Sequence, residues 1–165
     1  MLKSSLLAAV AIAMIGAAAN RGEAAGLMLD GGWEKFTFAG VGSSWRDTFS
    51  FTVGLSEAAL FQVTDAFLAG DRFEVFSGGV SLGLTSTPMA ARGMKVTGDS
   101  AFADPHWSSG AFLFTEGSYT VTGTAALSPY GSGAAYVRLV STDPLPSAPL
   151  PATAAAVTTP IPLPA

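Results

Sequence analysis

The 165-residue chain has no cysteine, a single histidine, and charge on only 12% of its residues. Without cysteine no disulfide can staple the fold, so packing alone must hold it. With His106 and no thiol, a zinc site lacks ligands, since such sites draw on several His or Cys side chains. A net charge of −4 with no run of Lys and Arg excludes nucleic acid as a partner, because phosphate binding needs a clustered basic surface. Helical periodicity is missing as well: past the first 25 residues, no stretch repeats its apolar positions every 3.6 residues. Nor does the interior hold an apolar run of the roughly 20 residues that span a bilayer.

The two ends have their own character. "MLKSSLLAAVAIAMIGAAAN" places Lys3 before an uncharged Ala/Leu/Ile/Val run that ends in small residues, the layout of a secretory signal peptide over residues 1–25. Cleavage is expected after Ala19 or Ala24, where small side chains enter the peptidase; a retained anchor helix is disfavoured by the short apolar core. Residues 144–165 carry seven of the ten prolines and no charge. Proline fixes φ and removes a backbone donor, so this segment reads as an extended linker. Residues 26–143 remain, enough for one domain with a single core.

Within that span the dominant pattern alternates. "SWRDTFSFTV" puts Trp45, Phe49, Phe51 and Val53 on one face and polar side chains on the other, which reads as a half-buried strand. Phe61 and Val63, Phe73 and Val75, Val80 with Leu82 and Leu84, and Tyr119 and Val121 are expected to point inward from further strands. "GAFLF" adds another strand, "AAYVRLVS" separates Ala135, Val137 and Leu139 from Tyr136, Arg138 and Val140, and a weaker strand lies near Phe36 to Phe38. The fold expected is all-β: an antiparallel sandwich or jelly roll of seven to nine strands. "SGG", Ser77 to Gly79, sits between two alternating runs. It reads as a hairpin turn and not as a phosphate loop, because phosphate loops lead into a helix.

Three groupings could carry chemistry. His106 could act as a base for Ser108 or Ser109, with Asp104 orienting it; neighbours in sequence seldom form a triad, and a lone histidine in a polar loop is usually solvated. Asp65, Asp71 and Glu74 surround one strand junction, while Asp99 and Asp104 lie between Thr85 and Gly110. Two such loops meeting at a sandwich edge could supply the six to eight oxygens that calcium takes; the plainer reading is surface ion pairs and turn caps. Exposed aromatics could stack on sugar rings. Among Trp33, Trp45, Trp107, Tyr119, Tyr130 and Tyr136, most should be core, with Trp107 and Tyr130 the expected exposed members.

The strings "VTDAFLAGDRFEVFSGGVSLGLTS", "DSAFADPHWSSGAFLFTEGSYTVTG" and "SPYGSGAAYVRLV" resemble small exported bacterial proteins of the PEP-CTERM and VPLPA-CTERM type. The resemblance spans about residues 45 to 141. The closing "TPIPLPA" is similar to the sorting motif Val-Pro-Leu-Pro-Ala, matched at Pro162, Leu163, Pro164 and Ala165 with Ile161 in place of Val. In that class a transmembrane helix and an Arg-rich cluster follow the motif, so the resemblance implies exosortase-type sorting if the tail continues beyond Ala165. It further implies a Gram-negative surface or secreted location, with the membrane met only during export. It carries no enzyme activity over.

Three functions are compatible with these residues. One is a non-enzymatic structural or binding module of cell surface or extracellular polymer, with polysaccharide as partner and no cofactor. Another is a polysaccharide hydrolase or lyase drawing its acid and base from Asp65, Asp71, Glu74, Asp99 and Asp104. The third is an adhesion module stabilised by calcium.

Overall fold

The structure, a computed structural model, describes residues 24–89 and 91–143. Nearly all of the expected leader, and the expected linker with Pro162, Leu163, Pro164 and Ala165, lie outside these residues. The elements are β1 (Ala25–Gly26), β2 (Glu34–Phe38), β3 (Phe49–Thr64), β4 (Phe67–Ala69), β5 (Arg72–Ser77), β6 (Val80–Leu84), β7 (Ala91–Val96), α1 (Gly98–Ala103), β8 (Ser109–Leu127) and β9 (Gly133–Thr142). Seven strands form one sheet in the order β2-β9-β3-β8-β5-β6, with β1 added along β3, and β4 pairs with β7 apart from it. Every strand pairing is antiparallel except β1 on β3.

This single sheet becomes a sandwich because its two long strands fold over. Phe51 and Phe61 sit on the same strand, and a straight strand would hold them about 33 Å apart; their rings lie 5.8 Å apart and nearly parallel. The bend falls where the β3–β8 register slips between Val53 and Ala58 and Ser56 adopts φ 60°. In β8 the rings of Phe114 and Tyr119 close to 4.6 Å in the same way. As a result β2 and β5, far apart in the sheet order, face each other: Phe36 and Phe38 meet Phe73 at 5.3 and 5.2 Å. Phe36 also stacks on Trp45 at 4.0 Å.

The alternation places the core as expected in most strands. Trp45, Phe49, Phe51, Val53, Phe61, Val63, Phe73, Val75, Val121, Ala135, Val137 and Leu139 are all buried together. Removing this much aromatic and branched surface from water contributes about 1.5–3 kcal/mol per large side chain, which is how a domain without disulfides holds together. The "SGG" hairpin is present: Ser77 pairs with Val80, and Gly78 and Gly79 take φ 55° and 85°, the positive values that a two-residue turn of this hand demands.

Two expectations fail. Val80 is 69% exposed, and Leu82 and Leu84 are exposed too, because β6 is the outer edge of the sheet and no described layer covers it. A helix is also present where none was expected. α1 spans six residues and buries only Ala101, too short a span for a 3.6-residue apolar repeat to register. Among the described residues no helix is long and apolar enough to cross a membrane.

Candidate functional site

The segment after β3 closes on itself around one carboxylate. Asp65 is fully buried; its Oδ1 accepts the Ala66 N–H at 2.6 Å, and its Oδ2 accepts the Gly70 and Asp71 N–H groups at 3.0 Å each. Its own N–H donates to the Ser108 carbonyl, tying the loop to the start of β8. Gly70 has φ 148°, and a Cβ there would lie 2.8 Å from the Pro129 ring. Glycine therefore lets this loop press against the β8–β9 connection. Phe67 is held at φ 64°, a strained setting for a bulky side chain and of a kind that gathers at functional sites.

Between this loop and the β8–β9 connection lies a pocket of about 110 Å³, lined among others by Phe67, Leu68, Asp71, Tyr130, Ser132 and Ala134. Asp71 is the charged part of that lining. It is only 6% exposed, and its Oδ1 has no hydrogen-bond partner among the described residues. On the β9 side Gly133 approaches so closely that a Cβ would sit 3.1 Å from Asp71 Oδ2.

Burial raises both carboxyls. Asp65 is pushed up to about 7, first by desolvation and then by the neighbouring Asp71 charge, against the pull of its three N–H donors. Desolvation lifts Asp71 to about 6, with the Ser128 hydroxyl pulling the other way. Among the described residues Arg138 and Asp99 form an ion pair elsewhere, and the His106 ring lies against Asp104. The pocket thus sets a largely buried carboxyl beside an aromatic and aliphatic surround, and neither Asp65 nor Asp71 forms an ion pair with a described side chain.

The expected site residues are only partly gathered here. Asp65, Asp71 and Tyr130 come together, although Asp65 turns both oxygens to backbone donors and acts as the loop's organiser. Glu74 instead accepts the Ser81 hydroxyl across the hairpin at 2.6 Å. Asp99 pairs with Arg138 at 2.7 Å, whose guanidinium lies 4.3 Å over the Trp33 ring. Asp104 accepts both the backbone N–H and the ring Nδ1 of His106, contacts that hold its carboxyl below the usual range. The five carboxylates expected as calcium ligands thus stand in four places, and no group of three or more His, Asp or Glu suited to a metal occurs among the described residues.

A hydrolytic pair fares similarly, because the two carboxyls that do meet cannot both reach a substrate while Asp65 is sealed. Of the two serines weighed as partners for His106, Ser108 is buried and accepts the Thr85 hydroxyl at 3.1 Å. Trp107, expected at the surface, is 0% exposed and packs on Ala69 and Ala101. The turn that follows α1 carries it inward, through the Trp107 N–H bond to the Asp104 carbonyl. Tyr130 lies partly buried at the pocket wall.

Sequence reasoning did not single out Phe67, Ser132 or Ala134. The available signal was the "SPYGSGA" break between two strands, which marks a loop without saying which loop it meets.

No family model matches the chain, and no curated protein matches it. Among solved structures it is similar to the pre-peptidase C-terminal domain of a collagenase from Bacillus anthracis, with 12% identity over 71% of this chain and 94% of that one, and a TM-score of 0.42.

Proposed function

We propose that the protein is an exported, non-enzymatic module of the bacterial surface or extracellular polymer matrix that binds saccharide in the pocket at Asp71. The observation that carries this reading is the combination in one concavity of the Asp71 carboxyl and the side chains of Phe67 and Tyr130. Sugars present hydroxyl donors on their rims and C–H groups on their faces, so an acceptor beside apolar plates matches both. Export is supported by the leader-like start, the proline-rich end and the resemblance to sorted surface proteins.

The test is a glycan array and a polysaccharide pull-down with the full chain, together with product analysis of each retained polymer. Retention of intact polysaccharide, lost on substitution of Asp71, is the expected result. Cleaved products, or no retention of any polysaccharide, would overturn the proposal.

A further inference from the structure

The two ends of the sheet differ in charge. At one end β2 carries Glu34 and Lys35, both exposed. At the other, β6 leaves Val80, Leu82 and Leu84 exposed, and from Ser77 to Ala91 the chain has no charged residue. An outer strand presents backbone N–H and C=O groups to any further strand, and natural edges are commonly guarded by charge for that reason. β2 has that guard and β6 lacks it. Glu74 lies one strand back, on β5, and accepts the Ser81 hydroxyl.

We propose that β6 pairs with β6 of a second copy of this chain, antiparallel across a two-fold axis near Leu82. Identical edges meet with identical charges, and like charges set opposite one another destabilise a strand pair; an uncharged edge can meet its own copy without that cost. Pairing centred on Leu82 brings the two Leu82 side chains together and sets Val80 of each copy near Leu84 of the other, which takes exposed apolar groups out of water. A head-to-tail union of β6 with β2 would desolvate Glu34 and Lys35 against a strand with no charge to answer them, and would leave an open edge on every added copy. The proline-rich residues 144–165 are a poor occupant, since proline donates nothing to a ladder.

The contact is small. Leu82 is an extra residue against β5, and Gly83 has φ 120°; a bulge of this kind twists an edge and limits how much of it pairs. Five residues a side fall short of the roughly 800 Å² per partner of a standard interface, so a Kd on the order of 100 µM is expected.

The test is sedimentation of the full chain from about 10 µM to about 1 mM, on either side of that Kd. The weight-average mass should climb toward twice that of the chain and stop there. Leu82→Lys puts two like charges at the axis and should weaken association about tenfold or more. Val80→Lys, at a position 69% exposed that folding barely notices, should weaken it too, whereas Leu113→Lys, at another exposed leucine on β8, should leave it unchanged. Because the chain has no cysteine, Leu82→Cys should let a short bismaleimide join two copies, and Leu113→Cys should not. A monomer mass at about 1 mM, association that survives both β6 lysines, growth beyond the dimer, or cross-linking at 82 no better than at 113 would each overturn the proposal. It stands apart from the saccharide reading, which the array tests.

Discussion

Raising the pH should weaken this fold, in contrast to proteins whose carboxylates are stabilised by partners. In the unfolded chain Asp65 and Asp71 titrate near 3.8, while in the folded domain they titrate near 7 and 6. Between those values the native state binds more protons than the unfolded one, so stability falls as pH rises. The contribution is fully present below pH 3.8 and is lost once the pH has passed through about 6 and 7.

Each pKa step of one is worth about 1.4 kcal/mol. Because part of the Asp65 shift is its repulsion from Asp71, the two effects do not add in full, and the net loss is on the order of 5 kcal/mol. For a domain of this size that corresponds to a fall of roughly 15 °C in Tm. Thermal melts followed by circular dichroism between pH 4.5 and 8.5, at fixed ionic strength, measure it directly. Asp71→Asn removes one charge and keeps the shape, so it should flatten the profile and melt higher than the parent above pH 7. A Tm that is level or climbs across this range would refute the assignment of a buried carboxyl pair.

Other consequences follow from the packing. A Cβ at Gly123 would meet the Trp45 indole and lie 2.7 Å from the Glu74 carbonyl, so Gly123→Ala should cost about 2–3 kcal/mol in urea unfolding. Phe36→Ala should cost about 3–5 kcal/mol, since this ring touches Phe38, Trp45, Phe49 and Phe73. Arg138→Ala should change global stability by about 1 kcal/mol or less, yet speed amide exchange in α1, because Asp99 in that helix loses its partner. Added calcium should leave Tm unmoved, given that Asp65 already accepts three backbone N–H groups and Glu74, Asp99 and Asp104 stand apart from it; a rise of several degrees by mass action would contradict the geometry.

Strand identity was legible wherever a face is buried along its length. Phe49, Phe51 and Val53, or Ala135, Val137 and Leu139, show a period of two because one side of each strand truly meets a core. The same pattern misleads at Val80, Leu82 and Leu84, where alternation survives on an exposed edge of the sheet. The fold of β3 onto itself left little trace, as the bend at Ser56 uses an ordinary residue in a left-handed conformation; two expected strands in β8 proved to be the arms of one bent strand.

Site residues divide along similar lines. Carboxylates near a strand junction are visible in sequence, but whether Asp65 faces a ligand or three backbone N–H groups depends on how the loop closes. Trp107 shows the limit plainly: its polar surroundings suggest a surface loop, and the turn nonetheless drives the indole into a small core.

The folding over of the sheet is what brings β2 against β5 and gives the domain its common core. With phenylalanine selectively labelled in the full chain, a nuclear Overhauser experiment between the Phe51 and Phe61 rings tests it in one step. Rings 5.8 Å apart predict a clear cross-peak that disappears in Phe61→Leu. No cross-peak in a folded sample would mean that β3 runs straight and that the sandwich, with the pocket built on it, is wrong.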